Sequence, residues 1–182
     1  MYFDKPGKQN TEQTLALAAA RARELGISEA VVATSKGDTA FRAVEILRGI
    51  RIVVVTYHCG FKEPFKNVMP EDVRGELRRQ GMIVVTASHS LSGIERSVAA
   101  RHSGIYPVLL MADTLKLFGQ GTKVAVEVAV MAADAGALSG GDVVSIGGSG
   151  RGADTALVLK PAHQNNFFDL RIREIICKPR EF

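Results

Sequence analysis

Two hydrophobic periods alternate along the chain. Leu15, Ala18, Ala22 and Leu25 recur at spacings of three and four, which places them on one face of a helix. Asn10 stands where a helix cap is needed, and Gln13 follows three residues later, the spacing of a capping box. Gly26 fits the position that ends the helix. The apolar run Glu29 to Thr34 then reads as a buried strand. The alternation continues with a helix over Asp38 to Arg48, carrying Ala40, Val44 and Leu47 on one face, and a strand over Arg51 to Thr56. A helix over Glu71 to Gln80 is ended by Gly81, and Met82 to Thr86 is the third strand. Ser92 and Glu95 form a second capping box, opening a helix to Arg101.

The second half is less regular. Pro107 to Phe118 predicts a helix with its proline in the first turn. Thr122 to Ala137 supports two readings. Val124, Val126, Val128 and Val130 alternate as in a strand, whereas the length, the alanines and Gly136 near the end favour a helix. Gly141 to Ile146 is the fourth clear strand. Asp154 to Lys160 and Ile172 to Cys177 predict two more, joined by Ala162 to Leu170 in a hairpin with a long loop. Apolar strands alternating with helices predict a single α/β domain over 1–182: three layers, α/β/α, around a mostly parallel sheet. Right-handed crossovers place the strand-to-helix loops on one edge, and ligands bind there, outside the carboxyl ends of the strands.

Composition narrows the function classes. Hydrophobic residues make up 46% of the 182, enough for a core. The net charge is +4, with Lys and Arg interspersed among Asp and Glu, so no basic stripe points to nucleic acid. The local excess from Arg74 to Arg79 is diluted by Glu76 and reads as a solvated helix face. Met1 to Asn10 is polar, unlike a signal peptide. Asp113, Lys116, Glu127 and Asp134 interrupt the most apolar stretches, so none is expected to span a membrane, and the chain is expected to be cytoplasmic. Cys59 and Cys177 match neither a disulfide framework nor a metal spacing, so no metal is expected. Without Trp and with three Tyr, an aromatic binding face is not expected either. The Ala- and Val-rich segments can pack on a partner chain as readily as on the sheet, which leaves a homo-oligomer open.

Four loops share the expected edge. In the first, Ser35, Lys36, Gly37, Asp38 and Thr39 combine a permissive glycine, hydroxyls and a charge at a helix start, a setting that binds phosphate. An ordinary turn capped by Asp38 is the plain alternative. The second loop, Tyr57 to Asn67, is long and carries His58, Cys59, Gly60, Phe61 and Phe65, which suits a lid over a planar ligand. A surface excursion with two buried phenylalanines is the alternative. His58 and Cys59 are sequence neighbours on an extended segment, which point apart and make a poor catalytic pair. The third loop offers His89 and Ser90 as hydrogen-bonding groups, and an imidazole can also act as acid or base. In the fourth, Gly147, Gly148, Gly150 and Gly152 surround Ser149 and Arg151. Such backbone can approach an anion closely, with the guanidinium as a clamp. A flexible turn between two strands is the alternative. Together the loops predict a phosphorylated small-molecule ligand.

Segments within these elements resemble the C-terminal α/β domain of pyruvate kinase. They are Ala30 to Val44, Arg51 to Thr56, Gly104 to Val108 and Gly136 to Gly148, in the same order over most of the chain. The chain is too short for that enzyme's catalytic barrel, so pyruvate kinase activity is not expected. Asp38 stands where the enzyme's first loop carries a basic residue, and the Tyr57 to Asn67 segment is foreign to it. These departures are more similar to a small, mainly archaeal family of stand-alone pyruvate-kinase-like α/β proteins. That resemblance implies flavin mononucleotide (FMN) as ligand, making the chain a flavoprotein. It places the phosphate on Ser35, Lys36, Gly37, Thr39 and the glycines beside Ser149. The ring falls near His58, Gly60, Phe61 and His89. A non-flavin phosphometabolite sensor, as the pyruvate kinase resemblance suggests, is the alternative function. A phosphotransferase or hydrolase using His58 or His89 has less behind it.

Overall fold

The computed structural model describes residues 1–182. Seven strands and six α-helices build it: β1 (Tyr2–Phe3), α1 (Thr11–Glu24), β2 (Glu29–Ala33), α2 (Asp38–Ile46), β3 (Arg51–Thr56), α3 (Glu71–Arg79) and β4 (Ile83–Thr86), then α4 (Glu95–Ala99), α5 (Pro107–Lys116), α6 (Gln120–Asp134), β5 (Val143–Gly147), β6 (Thr155–Lys160) and β7 (Arg171–Pro179). They form one sheet in the order β1-β7-β6-β5-β2-β3-β4. β5, β2, β3 and β4 are mutually parallel, whereas β6 runs antiparallel to both β5 and β7. This is the expected α/β fold with a mostly parallel sheet.

Side chains alternate across the central strands with a period of two. Val32 and Val54 join Leu15, Ala18, Ala40, Leu47 and Leu77 in a core beneath α1, α2 and α3. Val31, Val53 and Val55 join Ala125, Val128, Ala129 and Ala132 in a second core beneath α6. α6 resolves the ambiguity over Thr122 to Ala137 in favour of a helix. It is buried on nearly every side, from Gly121 to Ala133 with Val124 half-buried, so it has no polar stripe to reveal a helical period.

Three helices end on a glycine with positive φ: Gly26 at 66°, Gly81 at 84° and Gly136 at 67°. In each case the following amide donates back five residues, as from Ile27 to the Ala22 carbonyl at 2.8 Å. Neither capping box forms. A 3₁₀ turn at Lys8–Asn10 already holds Asn10 in a helical conformation, and its side chain donates to the Lys5 carbonyl at 2.8 Å. A capping side chain needs an extended backbone to reach the first amides. The helix expected at Ser92 starts at Glu95, whose carboxylate instead accepts from the Leu109 amide at 2.8 Å.

The expected hairpin is β6–β7, linked through a 3₁₀ segment at Gln164–Asp169. β1 was not expected. It adds to the edge of the sheet parallel to β7, Tyr2 opposite Lys178. No helix is long and apolar enough to cross a membrane.

Candidate functional site

A cleft of about 1180 Å³ opens along the carboxyl edge of the sheet, floored by Ala33, Thr34, Val55 and Thr56 at the ends of β2 and β3. Of the residues singled out in sequence, Ser35, Lys36, Asp38, Thr39, Phe61, His89, Gly148, Gly150 and Arg151 line it. Gly37, His58, Cys59, Gly60, Ser90 and Ser149 do not.

The first loop turns sharply into α2. Gly37 sits at φ 106°, and a Cβ there would fall 2.7 Å from Val73 Cγ1, so only glycine fits. Its amide donates to Thr34 Oγ1 at 3.1 Å and closes the turn, so it is committed within the loop. Ser35 and Lys36 are exposed at the mouth, and Thr39 is buried beneath them.

In the second loop, Tyr57 stacks on Phe61 with ring centroids 4.0 Å apart and planes inclined by 5°. The His58 and His89 rings pack edge-on against Phe61 and each other, at 5.4 Å, 5.2 Å and 5.2 Å. His58 Nδ1 lies 2.7 Å from the Cys59 carbonyl, so it is the protonated nitrogen and is not directed at the Cys59 thiol. Phe65 corrects the alternative of two buried phenylalanines: at φ 60° it is 97% exposed and stands outside the aromatic cluster.

The third loop is anchored by α6. Ser90 Oγ donates to the Glu127 carbonyl at 3.3 Å, and the Leu91 amide to Glu127 Oε1 at 3.0 Å. Ser90 therefore serves the scaffold, while His89 faces the cleft. Burial pushes the His89 pKa below its ordinary 6.5 against the opposing pull of Glu127, and nearby His58, Lys123 and Arg96 push the same way as burial.

The glycine loop joins two antiparallel strands and opens no helix. Most of its glycines answer to packing. A Cβ on Gly148 would lie 2.2 Å from the Gly152 carbonyl oxygen, and one on Gly152 2.4 Å from Thr11 Oγ1. Gly150, at φ 107°, faces open space. The fully buried Asp154 carboxylate takes the Ser149 amide at 3.1 Å, the Gly7 amide at 3.0 Å and the Thr155 hydroxyl at 2.9 Å. The Ser149 amide is thus used by an internal anion. Ser149 Oγ is buried without a partner.

The structure adds residues that sequence reasoning missed. Lys8 approaches from the 3₁₀ turn before α1, Glu12 from the first turn of α1, Arg42 from α2, Arg96 from α4, and Lys123 and Glu127 from α6. With Lys36, Lys62 and Arg151, seven cations face three carboxylates, the third being Asp38. Arg42 pairs with Glu12 at 3.2 Å and Lys123 with Glu127 at 2.5 Å. Lys8, Lys36, Lys62, Arg96 and Arg151 are left without an acidic partner, so the cleft is electropositive. No group of His, Cys, Asp or Glu side chains is arranged to hold a metal ion.

Among solved structures, the chain is similar to a pyruvate kinase from Cryptosporidium parvum, at 14% identity and a TM-score of 0.45. The similarity covers 84% of this chain and 23% of that one, so the chain spans less than a quarter of that enzyme's length. Residues 12–159 match the family model of the pyruvate kinase alpha/beta domain, and on that match the chain belongs to this family.

Proposed function

We propose that the protein binds a phosphorylated small molecule, flavin mononucleotide foremost, in the cleft at the strand ends, without pyruvate kinase turnover. One observation carries this: five cations without acidic partners converge on a cleft that also holds the stacked Tyr57–Phe61 pair. A phosphate monoester is a dianion and suits such a lining. The volume of about 1180 Å³ accommodates a nucleotide-sized molecule. Val124, Val128 and Met131 give α6 an apolar wall in the same cleft, so the residues fit a flat ring with a charged tail.

Lys36 and Arg151 are the phosphate contacts in this proposal, with Ser35 and Thr39 as hydroxyl donors. Phe61 and His89 border the ring. When bound, the flavin would supply redox chemistry, and the chain's own part is to hold it and shield it from water. The test is titration calorimetry with FMN and riboflavin, read alongside the flavin absorbance of the purified protein. Binding of FMN, and weaker binding of riboflavin, is expected. A colourless protein that neither binds FMN nor quenches its fluorescence would overturn the flavin assignment.

A phosphometabolite sensor is the second reading, favoured by the largely polar and cationic lining of the cleft. A phosphorylated metabolite present at 100 times its Kd should stabilise the protein by about 2.7 kcal/mol. Stabilisation by FMN alone, with sugar phosphates inert, would remove this reading.

A further inference from the structure

Lys123 and Glu127 stand one turn apart on α6 and are the only charged residues between Gly121 and Ala133. Their side chains are 9% and 7% exposed, and Lys123 Nζ lies 2.5 Å from Glu127 Oε2. Burying two charges costs desolvation that their attraction barely offsets, and apolar residues of similar volume serve a core as well or better. Stability therefore does not account for the pair.

The two partners are engaged unequally. Both carboxylate oxygens of Glu127 are engaged within the protein: Oε2 holds Lys123 and Oε1 holds the Leu91 amide, while its backbone carbonyl holds Ser90 Oγ. An ammonium has three donors, and Lys123 spends one, on Glu127. Its remaining N–H bonds have no protein acceptor, and the residue lines the cleft. Lys123 sits on the α6 face of the sheet, together with His89 and Arg96. Lys36 and Arg42 come from the α2 side, and Lys8 from the segment leading into α1. The cleft crosses the ends of β2 and β3 between these groups.

Building on the proposal that the cleft binds a phosphorylated ligand, we infer that the ligand is held at both ends. Its phosphate lies on the α1–α2 side, and Lys123 receives an electron-rich oxygen, a carboxylate or ring carbonyl, at the other end. Glu127 is the positioning residue: it fixes the ammonium and ties it to the loop that carries His89.

The full chain is titrated calorimetrically with four probes: FMN, riboflavin, 3-phosphoglycerate and glycerol 3-phosphate. The last two share a phosphate monoester, and only the first of them carries a carboxylate. The double variant Lys123→Met/Glu127→Gln removes both charges together and retains an acceptor for the Leu91 amide. It should weaken FMN and riboflavin alike by about 10- to 100-fold, the size of a hydrogen bond to a charged group. It should also abolish the preference for phosphoglycerate over glycerol phosphate. Lys36→Ala should weaken FMN and spare riboflavin. Glu127→Gln alone should shrink the same preference while leaving glycerol 3-phosphate unchanged, which a purely structural role would not do. Lys123→Arg, which keeps the charge, should restore part of it and serves if the double variant does not fold.

Unchanged binding of FMN and phosphoglycerate in the folded double variant would overturn the inference. So would an equal loss of glycerol 3-phosphate, because Lys123 would then be a phosphate contact. A wild-type protein that ignores both flavins yet prefers phosphoglycerate removes the flavin assignment and leaves this inference standing. If no probe binds, both fall.

Discussion

Gly147 at the end of β5 lies directly against Gly121 in the first turn of α6: a Cβ on Gly147 would fall 2.3 Å from the Gly121 carbonyl oxygen and 2.8 Å from the Ala125 amide. Both neighbours are backbone, so neither can swing aside. This contact brings α6 down onto the strand end and carries Lys123 and Glu127 to the cleft. Gly147→Ala should destabilise the protein by about 1–3 kcal/mol or more, as overpacking does. Gly141→Ala is the control, since nothing lies within 4 Å of a Cβ there and φ is not positive. It should stay within about 0.5 kcal/mol. Urea unfolding of both variants measures the difference.

Electrostatic capture of an anion predicts salt dependence. Lys36 and Arg151 are exposed and without acidic partners, so their contacts are screened by added salt. Lys36→Ala and Arg151→Ala should each weaken FMN about tenfold and flatten the dependence of affinity on salt. Calorimetry at low and physiological ionic strength reads both effects.

His89 predicts a pH effect on stability. Burial lowers its pKa in the folded protein below the ordinary 6.5, so the unfolded chain takes up its proton first as pH falls. In the window between the two values the unfolded state binds more protons, and stability rises with pH. The contribution is complete above pH 6.5, declines as pH falls towards the folded value, and levels off below it. His89→Gln should remove this decline, as measured by urea unfolding at a series of pH values across the window.

The two cysteines should react differently. Cys177 is buried in the core, and burial pushes its thiol up to about 11, whereas Cys59 is exposed at the loop surface. Only the thiolate is nucleophilic. One equivalent of a thiol reagent should react in the native state, lost in Cys59→Ser, and a second only on unfolding. Rapid labelling of two equivalents in the folded protein would contradict this burial.

The central sheet was legible because parallel strands covered on both faces are written as unbroken apolar runs. Arg51 to Thr56 has the expected limits, and the ends of α1, α3 and α6 fall at the glycines that marked them. β1 carried no such signal, since two residues show no period and their partners Lys178 and Pro179 lie at the far end of the chain. The loops bordering the cleft could be found from topology, but half of its charge could not. Glu12, Arg42, Arg96, Lys123 and Glu127 come from helices and reach the cleft through packing. One signal was available: a Lys and a Glu four apart in an otherwise apolar segment mark a paired, same-face position on a helix.

The short edge pairing of β1 with β7 has a dynamic consequence. The Lys178 amide donates to Met1 and the Arg180 amide to Phe3, and the chain then runs directly into Lys8 and Thr11 at the cleft. Edge pairings of this length open locally at low cost, ahead of the rest of a domain. An anion gathered by Lys8 would restrain that opening. Slowed hydrogen exchange at the Lys178 and Arg180 amides would then report occupancy of the cleft from the opposite end of the sequence.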